Sequence, residues 1–194
     1  LAGRFVVARG PAPRDAAGQP LPAVGPLTGT PYTVYEHAAA FPRVGLSYGA
    51  EVLGAALPRL LRLSAPDFDP RHSLVFETPP EPLLAPPPGP RPTGSVAVRE
   101  DRAGRFAATV TTPVPAYLWL ADAWAPGFTA TVNGQATPVL RANHAFRAVA
   151  VPAGTSDVEM TYRPTSLRAG GALAGMGLLL LVALSGAHLR RRRA

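Results

Sequence analysis

Between Ser95 and Tyr162 apolar and polar residues alternate with a period of two, and turn residues punctuate the pattern at short intervals. In Phe106–Val110 the apolar side is Phe106, Ala108 and Val110, with Thr109 and Thr111 opposite, and in Asp157–Tyr162 it is Val158, Met160 and Tyr162. A two-residue period puts one face of a strand on a core and the other in solvent. The pattern predicts strands at Ser95–Arg99, Arg105–Thr111, Ala116–Asp122, Phe128–Val132, Thr137–Leu140, Phe146–Val151 and Asp157–Tyr162. Asn133–Gly134 between two such runs is a hairpin signal, because both central positions of a type I′ turn need positive φ. The spacing is that of an antiparallel β-sandwich, assigned to residues 94–164.

Upstream the pattern is weaker. Arg4–Ala8, Tyr32–Glu36, Phe41–Leu46 and Ser73–Glu77 read as extended, while Gly10–Pro31 reads as a Pro/Gly-rich loop. Glu51–Leu63 is the helix candidate, broken at Pro58, which suits the first turn of a second short helix. Residues 1–77 are therefore expected to form a small α+β part. Residues 78–93, with Pro79–Pro80 and Pro86–Pro87–Pro88, are expected to be a stiff linker. The fold class expected is mainly β, with one C-terminal transmembrane helix.

That helix is expected at residues 168–189. After Arg168 about 19 uncharged residues, at a rise of roughly 1.5 Å each, make a rod of about 28 Å, close to the bilayer hydrocarbon thickness. Arg190, Arg191, Arg192 and Arg193 follow as a cytoplasmic topology signal, since short Arg-rich flanks resist translocation. The main domain would then be extracytoplasmic at a bacterial inner membrane, with residues 190–194 as a cytoplasmic tail. Leu1–Gly10 lacks the apolar core of an export signal, so the chain is expected to be the C-terminal piece of a longer multi-spanning protein.

Composition narrows the picture. The net charge is +7, and four of the 19 basic residues are the terminal arginines. No basic stripe interleaves with aromatics, which argues against a nucleic-acid partner. All basic residues are Arg, which beside so much Ala, Pro and Gly reads as compositional bias. With no cysteine, disulfides, thiolate metal sites and Cys nucleophiles are excluded.

Several segments, in order, resemble the YfhO family of bacterial multi-pass membrane proteins. Trp124–Ala125–Pro126–Gly127–Phe128 with Thr131–Val132–Asn133–Gly134 is similar to its "PGW…V-D/N-G" hairpin. Pro138–Asn143, Phe146–Val149, Val151–Gly154 and Tyr162–Arg163–Pro164 continue the resemblance. Arg4–Val7, Tyr35–Glu36 with Phe41–Pro42–Arg43, and Pro66–Pro70 resemble upstream motifs of the family. Phe128 stands where the family usually has Trp, and His37 where it usually has Asn. The resemblance implies a relation to GT-C type glycosyltransferases and a C-terminal extracytoplasmic accessory domain closed by the last span. It implies glycosylation of cell-envelope polymers from a lipid-linked sugar, with the catalytic part upstream. No catalytic residue is carried over, and the chain alone is not expected to be an enzyme. The alternative is a self-contained, membrane-anchored glycan-binding β-sandwich. Expected partners are the lipid bilayer, an upstream transmembrane bundle and an envelope glycan or lipid-linked sugar. No cofactor or metal is expected.

Candidate chemistry is sparse. Trp124 and Phe128 flank a Pro–Gly turn and are candidates for glycan or partner contact, although core burial is the plainer reading of this aromatic cluster with Tyr117 and Trp119. Asp67 and Asp69 have the D-x-D spacing of a divalent-metal site, but between prolines Asp also stabilises turns. His37, His72, His144 and His188 are scattered, and Ser47, Ser73 and Ser95 lack a nucleophile-elbow context. Gly171 and Gly175 form a G-x-x-x-G pair suited to helix packing. Arg163 and Arg168 are expected at the outer headgroup level. A sorting signal is excluded, because Thr161–Gly171 contains no L-P-x-T-G.

Overall fold

The computed structural model describes residues 4–15, 17–167, 170–171 and 173–181. Two sheets face each other across the main core. The five-stranded sheet has the order β11–β10–β14–β8–β7, made of β7 (Ser95–Arg102), β8 (Arg105–Thr112), β10 (Phe128–Val132), β11 (Gln135–Thr137) and β14 (Gly154–Tyr162). The six-stranded sheet has the order β4–β9–β13–β12–β6–β5. Its strands are β4 (Val44–Ser47), β5 (Ala50–Val52), β6 (Leu74–Phe76), β9 (Ala116–Ala123), β12 (Leu140–Ala142) and β13 (Phe146–Val151). A separate three-stranded sheet joins β1 (Phe5–Ala8), β3 (Thr33–Glu36) and β2 (Ala23–Pro26), with β3 central.

The period-two pattern sorts side chains as expected in the five-stranded sheet. Phe106, Ala108 and Val110 of β8 and Ser156, Val158 and Met160 of β14 are all buried. The apolar ones meet Leu118, Leu120 and Val149 from the facing sheet in one core. Asn133 and Gly134 take φ of 52° and 78°, and so close the β10–β11 hairpin as the dipeptide predicts.

In β9 both faces are buried, so alternation is invisible there. Ala116, Leu118 and Leu120 face the five-stranded sheet. Tyr117 and Trp119 face outward into a second cluster with Leu74, Phe76, Ala142 and Ala148. The Trp119 indole lies on β4, where a Cβ at Gly45 would come within 2.8 Å of the ring. Only the missing side chain of Gly45 makes that approach possible.

The Pro-rich segment lies across this outer cluster. The Leu84 N–H donates to the Tyr117 hydroxyl at 3.0 Å, and that hydroxyl donates to the Pro82 carbonyl. The Leu84 carbonyl accepts from the Ala50 N–H at 3.0 Å, and the Leu84 side chain packs on the cluster. Residues 78–93 therefore separate the chain in sequence, whereas β4, β5 and β6 from ahead of them complete the sheet built by β9, β12 and β13.

Three expectations are corrected. β2 forms inside the expected loop, because Ala23–Pro26 finds a partner in β3 despite its glycine and proline. Glu51 belongs to β5, and the helix α1 spans Ala56–Leu63. Pro58 sits in the first turn of α1, where its missing N–H has no intrahelical acceptor to lose. The sandwich is not wholly antiparallel, since β5 and β6 run parallel with α1 as the crossover. Among the described residues no helix is long and apolar enough to cross a membrane. Residues 165–167, 170–171 and 173–181 are helical. The remainder of the expected span, with Arg168 and Arg190–Arg193, lies outside the described residues.

Candidate functional site

Strand pairing brings one set of chain ends together. Phe128 opens β10 opposite Tyr162 at the end of β14, and Phe146 opens β13 opposite Ala123 at the end of β9. Val44 opens β4 beside Leu120, and the β7–β8 hairpin turns at Ala103–Gly104. The C-terminal helical residues leave from this same end, beginning three residues beyond Tyr162.

The last core-facing positions of these strands are not aliphatic. In β9 the inward series Ala116, Leu118 and Leu120 ends in Asp122, and in β13 Arg147 precedes Val149 and Val151. In β10 and β14 the inward series ends at Phe128 and Tyr162. These side chains, with Arg43 and Asp101, close the end of the inter-sheet core.

Their contacts form one network. The Arg43 guanidinium donates to Asp122 at 2.8 and 2.7 Å and also pairs with Asp101. One arginine thus ties β9 of one sheet to β7 of the other. Asp122 also accepts from Arg147 at 2.6 Å. Arg147 is 8% exposed, and its Nε is buried with no hydrogen-bond partner among the described residues. Its guanidinium lies 4.1 Å from the centroid of the Phe128 ring, a cation–π contact, and Phe128 packs on Tyr162 with centroids 4.7 Å apart.

The ionisation states follow from these partners. Hydrogen bonds from Arg43 hold the Asp122 carboxyl below the usual carboxylate range, outweighing its burial. The same contacts raise Arg43 above its ordinary value. Burial pulls Arg147 the other way, lowering it despite Asp122, with Arg43 adding repulsion. The network borders a cleft of about 370 Å³ that is also lined by Arg102, Arg105 and the Ala103–Gly104 turn.

The other candidates are placed differently. Trp124 is half-buried, its indole N–H donating to the Val139 carbonyl at 3.2 Å. Between it and Phe128, Gly127 takes φ +103°, and a Cβ there would lie 2.8 Å from Pro164 Cα. Trp119 is fully buried and stacks on Phe146. Asp67 pairs with Arg62, while Asp69 accepts from the Arg71 N–H at 2.8 Å and from its guanidinium. Asp69 is thus the turn-stabilising residue that its setting between prolines suggests. Among the described residues no three His, Asp or Glu side chains gather as a metal-binding group. His37 and His144 are half-buried and His72 exposed, whereas His188 lies outside the described residues. The Ser47 and Ser73 hydroxyls are buried without a hydrogen-bond partner among the described residues, and Ser95 is exposed. Gly171 and Gly175 lie in the C-terminal helical residues, and among the described residues nothing beyond their own helix backbone and chain neighbours comes within 4 Å of a Cβ placed there. Arg163 is exposed, just past β14.

The network of Arg43, Asp101, Asp122 and Arg147 was not singled out from the sequence. A signal was present: extending the inward series of β9 and β13 by two residues puts an acid and an arginine on the core side at one end. Pairing them requires the strand register, which alternation alone does not supply.

Residues 94–174 match the family model described as "Bacterial membrane protein YfhO". The match runs from the residue before β7 through β14 into the C-terminal helical residues, and this stretch is similar to that family of bacterial membrane proteins. Comparison with curated proteins and with solved structures finds no match.

Proposed function

We propose that this chain, through its YfhO-family region, is an extracytoplasmic accessory domain of a bacterial membrane protein that glycosylates cell-envelope polymers from a lipid-linked sugar. The observation that carries the reading is the match over residues 94–174, which joins the sandwich and the start of the apolar C-terminal run in one family region. On this reading residues 168–189 form a transmembrane helix and Gly171 and Gly175 face neighbouring spans. Arg190–Arg193 hold the cytoplasmic side. The sandwich then stands outside the cytoplasm with its Arg-rich end toward the bilayer.

The chain has no cysteine, so one introduced thiol reports topology cleanly. Gln135→Cys places it on exposed β11, at the end of the sandwich away from the C-terminal helical residues. A membrane-impermeant maleimide should label it in intact cells whose outer permeability barrier has been removed. Labelling only after the inner membrane is opened overturns the placement. The glycosylation part is read separately. Deleting residues 94–164 from the protein in its native host should reduce sugar substitution of envelope polymers, and an unchanged glycan profile rejects that part.

A contact between glycan and the free faces of Trp124 and Phe128 finds less support. Phe128 is packed between Arg147 and Tyr162, and Trp124 donates into its own domain. A sugar approaching this end meets guanidinium and carboxylate groups before it meets an open aromatic face.

A further inference from the structure

We propose that the cleft bounded by Arg43, Arg102, Arg105, Arg147 and Phe128 binds one phosphate group. The cleft is lined by four arginines against two carboxylates, Asp101 and Asp122. Both carboxylates are already committed: Asp101 to Arg43, and Asp122 to Arg43 and Arg147 together. Glu100 and Glu159 stand outside the lining, at 3.0 and 3.6 Å from Arg105, with Glu100 3.7 Å from Arg102. These two partners pair with the outer arginines, whose side chains stay 80% and 51% exposed.

Arg147 points to a ligand most directly. It is nine-tenths buried, it lines the cleft, and it shares its single carboxylate with Arg43. A guanidinium has only donors, so what completes it must bring acceptor oxygens. A carboxylate offers two oxygens in one plane. A phosphate offers oxygens in several directions, which suits arginines that converge from β4, β13 and the β7–β8 hairpin. A volume of about 370 Å³ leaves room for the substituent of a phosphate ester beside it. The cleft opens at the end from which the C-terminal helical residues depart, the Tyr162 N–H donating to the Gly104 carbonyl at 2.8 Å.

The phosphate chemistry stands on the cleft alone. Its source as a lipid headgroup rests on the membrane reading above. The test uses the full chain in a non-ionic detergent, titrated with inorganic phosphate and followed by phosphorus NMR. Saturable binding is expected, weakened about tenfold by Arg105→Gln and by Arg147→Gln, the loss of one charge-assisted hydrogen bond. Arg105 is a surface residue, so that variant should melt as the parent does and keeps the test valid if Arg147→Gln misfolds. No saturable binding, or binding unchanged in both Arg105→Gln and Arg102→Gln, overturns the proposal.

Flotation with vesicles identifies the source. Capture increased by phosphatidylglycerol over phosphatidylcholine, and lost in Arg105→Gln, supports a lipid headgroup. Phosphate binding with equal capture by both vesicles supports a soluble phosphate ester. Failure to float with either vesicle rejects the membrane reading and leaves the phosphate titration to decide the cleft.

Discussion

Asp122 carries more of the sandwich than its position at a strand end suggests. It accepts from Arg43 and Arg147 at once, and Arg147 is nearly buried. Replacing it by Asn keeps the shape but leaves two guanidinium groups against a neutral amide. Removing one partner of a part-buried pair strands the other charge, so Asp122→Asn should cost about 2 to 3 kcal/mol in urea denaturation. A loss below about 0.5 kcal/mol would mean that water screens the network as it does ordinary surface pairs. The pH sign follows from the depressed carboxyl. A group whose folded value lies below its unfolded value of about 3.9 contributes full stability above that value and loses it as pH falls through the folded one. The parent protein should therefore lose more stability than Asp122→Asn when acidified below about pH 4. Parallel acid-melting curves would remove Asp122 from the explanation.

At the scale of elements, α1 is oriented against the usual rule. Its one buried residue is Arg59, while Leu57, Leu60 and Leu61 are 66%, 45% and 64% exposed. Arg59 donates to the Leu53 carbonyl at 2.8 Å, to the Gly54 carbonyl and to Glu77, and Arg62 pairs with Glu51. The helix is held to the β5 edge by its polar side. Leu57→Ser with Leu61→Ser should shift unfolding by no more than about 0.5 kcal/mol, while Arg59→Met, which orphans two carbonyls, should cost about 2 kcal/mol. The reverse order in chemical denaturation would show that the leucines, not the arginine, anchor α1. The run Glu51–Leu63 was legible as helical in the sequence, but not which side faces in. The same limit explains the rest. Strands β8, β10, β13 and β14 were legible because they alternate, and the Asn133–Gly134 turn because its φ values demand those residues. β5, with three residues and an acid at its centre, carries no local signal and exists through pairing with β6. The Arg43–Asp122 contact spans 79 positions and rests on the register between sheets, which no local pattern encodes.

For the whole molecule the question is where the folding unit begins. The family match starts at Gly94, yet three strands of the six-stranded sheet, β4, β5 and β6, precede it. Without them β9 loses its partner β4 on one edge, and β12 loses β6. Tyr117 and Trp119, both fully buried, would lose Leu74, Phe76 and the Pro-rich segment that cover them. Arg43 would also be gone, leaving Asp101 and Asp122 on separate sheets without the residue that joins them. Each large side chain returned to water costs about 1.5 to 3 kcal/mol, and a domain of this size holds only about 5 to 15 kcal/mol in total. Exposing Tyr117 and Trp119 and losing Leu46, Leu74 and Phe76 from the cores thus removes most of that stability. A fragment of residues 94–164 should therefore bind a hydrophobic dye and melt without a cooperative transition, and residues 41–164 should restore one. Cooperative melting of the shorter fragment with its tryptophan fluorescence still blue-shifted would show that the five-stranded sheet suffices.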